Sequence, residues 1–162
     1  MYTKYEQTAH YIRQFITERT PEFAIILGSG LSPLQEEVTP IMEIPYAGIP
    51  NFPQSTVEGH GNKLIYGTLS GKYVLLMSGR FHYYEGYPMD AVTFPIRIFH
   101  LLGIKKLIVS NASGGVNPNF SVGDIMLIRD HINLFPEHPL RGKNLEKFGT
   151  RFPDMSQAYD RE

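Results

Sequence analysis

Phe23-Ala24-Ile25-Ile26-Leu27-Gly28-Ser29-Gly30 decides the fold. Its five apolar residues in a row are too few for a helix. With no polar alternation, they read as a strand buried on both faces and closed by a glycine–serine turn. Leu107-Ile108-Val109 repeats the pattern as a second buried strand candidate, running into Asn111-Ala112-Ser113-Gly114-Gly115. Ile125 to Ile128 is a further candidate strand.

Helical spacing lies to either side. Tyr5, Ala9, Ile12 and Ile16 share one face, with Phe15 beside them, until Thr20-Pro21 ends the pattern. A short helix fits Pro33 to Val38, and residues 39–53, with four prolines, read as a loop. Lys63 to Leu69 and Lys72 to Met77 are strand-like runs separated by Ser70-Gly71, the linker of a β-hairpin. Residues 78–87, rich in glycine, histidine and tyrosine, read as a loop rather than a core element. Pro88 is placed to open a helix whose apolar face runs through Val92, Pro95, Ile96, Phe99 and Leu102, with Pro95 bending it or breaking its first turn. Strands joined by helical segments predict an α/β fold with a mixed, largely parallel central sheet flanked by helices. Asp154 or Ser156 is placed to cap a helix through Gln157-Ala158-Tyr159, and its stop at Glu162 leads us to expect further polypeptide.

Composition narrows the function. Apolar residues at 42% and charged residues at 19% suit an ordinary globular chain. A net charge of −1 gives no electrostatic basis for binding nucleic acid or an anionic membrane, so a phosphate must be met by a local site. There is no cysteine for a disulfide, a zinc thiolate or a thiol nucleophile. The first twenty residues lack the unbroken apolar core of a signal peptide, and no stretch is long enough to span a bilayer. We therefore expect a cytoplasmic protein, in which the sequon at Asn111 is coincidental.

The chemistry-bearing residues gather at the turns. Gly28-Ser29-Gly30 offers uncrowded backbone N–H groups and the Ser29 hydroxyl, which fits an oxyanion cradle and equally a plain tight turn. A dinucleotide fingerprint would need glycine where Pro33 stands, and the Gly-Lys-Ser/Thr of a nucleotide P-loop is missing. In Arg80-Phe81-His82-Tyr83-Tyr84, the Arg80 guanidinium is suited to a bidentate grip on phosphate and His82 to donating to it or taking its proton. The competing reading is a solvated loop whose aromatics cover a hydrophobic edge. His60, between Gly59 and Gly61, either swings toward a ligand or marks a turn, and His100 in the helical stretch reads as structural. No histidine pair has metal-ligand spacing with a carboxylate, and nothing links Glu58 to Glu85 as a glycosidase-type pair.

Taken in order, Gly28-Ser29-Gly30-Leu31, Pro50-Asn51-Phe52-Pro53, Gly59-His60, the run Gly79 to Pro88, Asn111 to Gly115, the stretch from Gly123-Asp124-Ile125 to Asp130-His131-Ile132-Asn133, and Arg151 to Ser156 are arranged as in one family. Over almost its whole length the chain resembles the N-terminal portion of the trimeric, inosine–guanosine type of purine nucleoside phosphorylase, with residues 1–162 forming part of a single domain. The resemblance implies phosphate binding by Ser29, His60, Arg80, Phe81, His82 and the backbone N–H of Ala112, with Arg80 and His82 catalytic. It implies ribose contact by Tyr84, and by Phe152 inserted into a neighbouring subunit's site, hence a homotrimer. The family's second alanine in the Asn-Ala-Ala-Gly-Gly turn is Ser113 here.

The implied reaction is phosphorolysis of purine nucleosides, with inorganic phosphate as co-substrate and neither a cofactor nor a metal. The family's purine-binding glutamate, asparagine and late histidine come from a portion that would follow Glu162, which leaves the base preference open. Two alternatives stand beside this reading. One is a methylthioadenosine phosphorylase relative, against which Gly28-Ser29-Gly30 and residues 81–85 speak. The other is a fragment that keeps only phosphate binding and subunit contacts.

Overall fold

A computed structural model describes residues 2–54 and 61–161. Residue contacts divide the chain into two compact units, Met1–Ala112 and Ser113–Glu162.

The first unit is built on one five-stranded sheet. Its strands are β1 (Phe23–Ile26), β2 (Thr39–Pro45), β3 (Lys63–Leu69), β4 (Lys72–Ser78) and β5 (Lys106–Val109), in the spatial order β2-β3-β4-β1-β5. The sheet is mixed, as expected: β1 runs parallel to both β4 and β5, whereas β3 is antiparallel to both β2 and β4. The alternation of strand side chains sends Phe23, Ile25, Leu27, Ile65, Val74 and Leu76 into one cluster, completed by Val38 and Leu69. The intervening residues Ala24, Ile26, Leu64, Tyr66, Leu75 and Met77 are equally buried, so the central strands are covered on both faces.

Helix α1 (Tyr2–Arg13) buries Tyr5, Thr8, Ala9 and Ile12, the i, i+3, i+4, i+7 stripe of an amphipathic helix. It packs on α3 (Phe94–Leu101) through the stacked Tyr5 and Phe94 rings, 4.7 Å between centroids. The expected break near Pro95 is present: a single turn, α2 (Met89–Val92), ends at Thr93, and α3 restarts with proline in its first turn. The β3–β4 hairpin closes through Ser70 and Gly71 at φ of 49° and 75°, the doubly positive pair of a type I′ turn.

Several expectations are corrected. Residues 39–45 are not loop but the edge strand β2, which tolerates Pro40 and Pro45 because an edge leaves alternate N–H groups unpaired, and its register slips between Pro40 and Met42. β5 is a strand but not a buried one, since Leu107, Ile108 and Val109 stand about half exposed at the other edge. An apolar run shows what can be buried, not what covers it. Within residues 78–87, Ser78 ends β4, residues 83–85 form a 3-10 turn, and Phe81 belongs to the core.

Among its described residues the second unit is largely irregular, with a 3-10 turn at Glu146–Phe148. Ile125–Ile128 forms no strand there: its side chains are exposed and it joins no ladder among the described residues. Asp154 Oδ1 accepts from the Ser156 N–H at 2.9 Å and its hydroxyl at 2.6 Å, but this closes a local turn and no helix follows among the described residues. The Arg151 guanidinium ties the unit locally, donating to the carbonyls of Leu140 and Gly142 at 3.1 and 2.5 Å.

Candidate functional site

Because β4, β1 and β5 are mutually parallel neighbours, their carboxyl ends share one edge of the sheet. Ligands of open α/β sheets collect at such an edge. Three turns leave it, and Ser110, the first residue beyond β5, joins them. Its Oγ accepts the Gly28 N–H at 2.8 Å and lies 3.3 Å from the Ile26 carbonyl, to which its own N–H donates at 3.1 Å. Its carbonyl accepts the Arg80 Nη1–H at 2.7 Å. The turn after β1, the loop after β4 and the turn after β5 are thus held together through one residue.

Gly28 is required by this closeness. A Cβ there would collide with the Ser110 carbonyl oxygen and lie 2.7 Å from Asn111 Cα, both backbone atoms that cannot step aside. The Gly28 N–H is used on Ser110, so of the expected cradle the amides of Ser29 and Gly30 remain for a ligand, with the exposed Ser29 hydroxyl. The segment beyond, Ser32–Glu37, is a six-residue 3-10 helix rather than an α-helix, so the helix dipole adds little to the cradle.

Arg80 leaves β4 through Gly79 (φ 93°) and donates its Nε–H to His82 Nε2 at 3.2 Å. A guanidinium only donates, so Nε2 carries the lone pair and the ring proton sits on Nδ1. That proton goes to Glu85 Oε1 at 2.7 Å, and the same oxygen accepts the His82 backbone N–H at 2.9 Å. The pair closes the 3-10 turn at Tyr83–Glu85 as a capping box, with Glu85 almost wholly enclosed. Tyr84, exposed, stacks its ring on His82 with centroids 4.7 Å apart and planes 20° from parallel.

Of the residues singled out in the sequence, Ser29, Arg80, His82, Tyr84 and Ala112 lie in these three turns. The Phe81 side chain is 3% exposed and packs against Tyr46, Phe52 and Tyr87, which leaves its backbone for a ligand. In this arrangement His82 Nε2 accepts the Arg80 Nε–H. His60 and Glu58 fall outside the described residues. Phe152 belongs to the second unit, where its side chain is 86% exposed.

Two residues of the site were not read from the sequence. Glu85 was legible in principle from the His82-x-x-Glu85 spacing of a capping box, whereas nothing marks Ser110 before the turns are folded together. Among the described residues no group of three histidine or carboxylate side chains is placed to hold a metal ion. The site offers one guanidinium, a hydroxyl and glycine-flanked amides, the donor set of an oxyanion site.

A mixed sheet that gathers such donors at the carboxyl ends of three parallel strands defines an α/β protein with a candidate oxyanion site at one sheet edge. The sequence profile of the phosphorylase superfamily matches residues 22–162, and the chain belongs to that family. It is 56% identical to the purine nucleoside phosphorylase of Mus musculus over 99% of its own length and 56% of that enzyme's. A solved purine nucleoside phosphorylase in complex with ribose 1-phosphate superimposes with a TM-score of 0.89 at 51% identity, covering 98% of this chain and 59% of the other. A Schistosoma purine nucleoside phosphorylase in complex with hypoxanthine gives 0.88 at 48%, covering 98% and 56%. The chain therefore spans rather more than half the length of the relatives it matches.

Proposed function

We propose that the protein carries out phosphorolysis of purine nucleosides, and that this chain supplies the phosphate side of the site and part of the ribose side. The observation that carries the reading is the convergence of Arg80, Ser110 and Gly28 at the carboxyl ends of β4, β5 and β1, next to the exposed Ser29 turn. Phosphate is held by the Arg80 guanidinium, the Ser29 hydroxyl and the amides of Ser29, Gly30 and Ala112. It replaces the Arg80–His82 bond, which at 3.2 Å is longer than the 2.7 Å bond from Arg80 to Ser110.

A phosphate oxygen forms the bond to the anomeric carbon as the glycosidic C–N bond breaks, and the electron pair leaves with the purine, which takes up a proton. The sugar gains positive charge in the transition state, and a phosphate dianion fixed beside it lowers that barrier. Tyr84 meets the ribose, and its stacking on His82 keeps the phosphate and sugar contacts adjacent. The reading includes a cytoplasmic homotrimer in which Phe152 reaches a neighbouring subunit's ribose; the exposure of its ring supports this.

The test is phosphate-dependent release of hypoxanthine from inosine by the purified protein, with Arg80→Ala alongside. We expect no release without phosphate, and a loss of roughly a hundredfold in kcat/KM for phosphate in the variant. Equal release with and without phosphate, or an unaffected variant, overturns the reading.

A further inference from the structure

Arg80 is bracketed by contacts from one buried residue. Tyr46 follows β2 as the first residue of a 3-10 turn, Tyr46–Gly48, and is wholly enclosed. Its hydroxyl lies 2.7 Å from the Gly79 carbonyl oxygen and 3.3 Å from that of Ser78. Having one proton to give, the phenol donates mainly to the nearer, Gly79. On the far side of Arg80, the Phe81 ring packs on the Tyr46 ring with centroids 5.5 Å apart. The residue before Arg80 and the residue after it are thus both fastened to the same side chain.

We infer that Tyr46 is a positioning residue for the phosphate site, holding the Gly79–Arg80 peptide plane through its hydroxyl and thereby aiming the Arg80 guanidinium. The inference rests on the reading of Arg80 as a phosphate ligand. The Gly79 carbonyl and the Arg80 N–H belong to one rigid peptide unit, so fixing the oxygen fixes the direction in which Arg80 leaves. The chain turns at Gly79 through φ 93°, and a peptide in that conformation needs an anchor to keep its orientation.

Packing alone does not call for the hydroxyl. Tyr46 sits among Phe52 and Phe81, with centroids 5.0 and 5.5 Å away, where phenylalanine would fill the same space. Burial also pushes the phenol far above the ordinary tyrosine range, so it stays a neutral donor. Tyr66 provides the contrast. It too is wholly enclosed, but its hydroxyl bonds the backbone of Arg19, accepting from the N–H at 3.0 Å and donating to the carbonyl at 2.9 Å, between α1 and β1.

The experiment is a titration with inorganic phosphate by calorimetry on the wild-type chain and on Tyr46→Phe, Tyr66→Phe and Arg80→Ala, with thermal unfolding of each. Tyr46→Phe should bind phosphate about tenfold more weakly, equivalent to ~1.4 kcal/mol. Tyr66→Phe should lose stability yet bind phosphate within about twofold of wild type. Wild-type affinity in Tyr46→Phe, or an equal loss in Tyr66→Phe, overturns the inference. Phosphate binding that is missing in the wild type or indifferent to Arg80→Ala overturns the phosphate reading itself, and the inference with it. Should Tyr46→Phe not fold, Gly79→Ala disturbs the same peptide from the other partner; unchanged phosphate affinity there overturns the inference, and weakened affinity supports it.

Discussion

Replacing Gly28 by alanine tests whether the site is held together by backbone contact between two turns. The new methyl group has nowhere to go. It would overlap the Ser110 carbonyl oxygen and approach Asn111 Cα to 2.7 Å, nearly an ångström inside ordinary carbon–carbon contact. Overpacking against atoms that cannot rotate away costs about 1–3 kcal/mol. For a chain of 162 residues this lowers the unfolding midpoint by roughly 2–12 °C. Ser110 must move to relieve the clash, and since its carbonyl holds Arg80, phosphate affinity should fall in the same variant. Gly30→Ala is the matched comparison: there a Cβ meets nothing within 4 Å, and the cost is only the backbone strain of φ +82°, ~1–2 kcal/mol, with Ser110 undisturbed. Scanning calorimetry and phosphate titration of both variants distinguish the effects. A Gly28→Ala protein that melts within a degree of wild type and keeps its phosphate affinity refutes the reasoning.

Further outcomes follow from the same contacts. Glu85→Ala removes both the capping bond to the His82 N–H and the acceptor of its Nδ1 proton; it should cost ~1 kcal/mol in urea unfolding and weaken phosphate binding, while a loss of stability alone would refute Glu85 as the residue that orients His82. Stability should fall at alkaline pH. The hydrogen bond from Tyr73 to Glu18 raises the Tyr73 pKa and burial raises that of Tyr46, so the folded state holds these protons more tightly than the unfolded chain. Their contribution is complete below the ordinary tyrosine value of 10.0 and is lost as pH rises through the raised ones; unfolding midpoints from pH 8 to 11 should decline less steeply in Tyr73→Phe, and parallel curves would contradict this. Ser70→Asn places at φ 49° a residue that tolerates positive φ better, and thermal melts should show a gain of a few tenths to ~1 kcal/mol.

The sequence was readable wherever one segment carries its own reason. The apolar run before Gly28 and the Ser70-Gly71 linker specify β1 and the hairpin without help from the rest of the chain. Reading failed where the reason lies in a neighbour. Four prolines between 39 and 53 argue against a strand until β3 is seen to need an edge partner, and then Pro40 and Pro45 fall at tolerable positions. Phe81 looked like a loop aromatic because its burial depends on Tyr46 and Phe52, some thirty residues upstream. Ile125–Ile128 erred in the other direction: apolar content is necessary for a strand, but pairing makes one. In the candidate site, Ser29, Arg80 and His82 stood out by type, while Ser110 and Glu85 hold other groups in place and show only once the turns meet.

The topology explains why the site forms on this edge and in this half of the sheet. Antiparallel neighbours deliver their carboxyl ends to opposite edges, so β2, β3 and β4 alone could not bring three such turns together. The parallel set β4-β1-β5 does so automatically, and β4 is the strand that belongs to both halves. Arg80 therefore extends from a strand anchored on one side by a local hairpin and on the other by β1, whose own turn supplies Ser29. The hairpin gives the guanidinium a rigid base with little sequence-distant closure, and the parallel pairings bring it to Ser110, thirty residues away along the chain. Any change that weakens β1–β4 pairing should therefore reach phosphate affinity through Arg80 before it unfolds the hairpin.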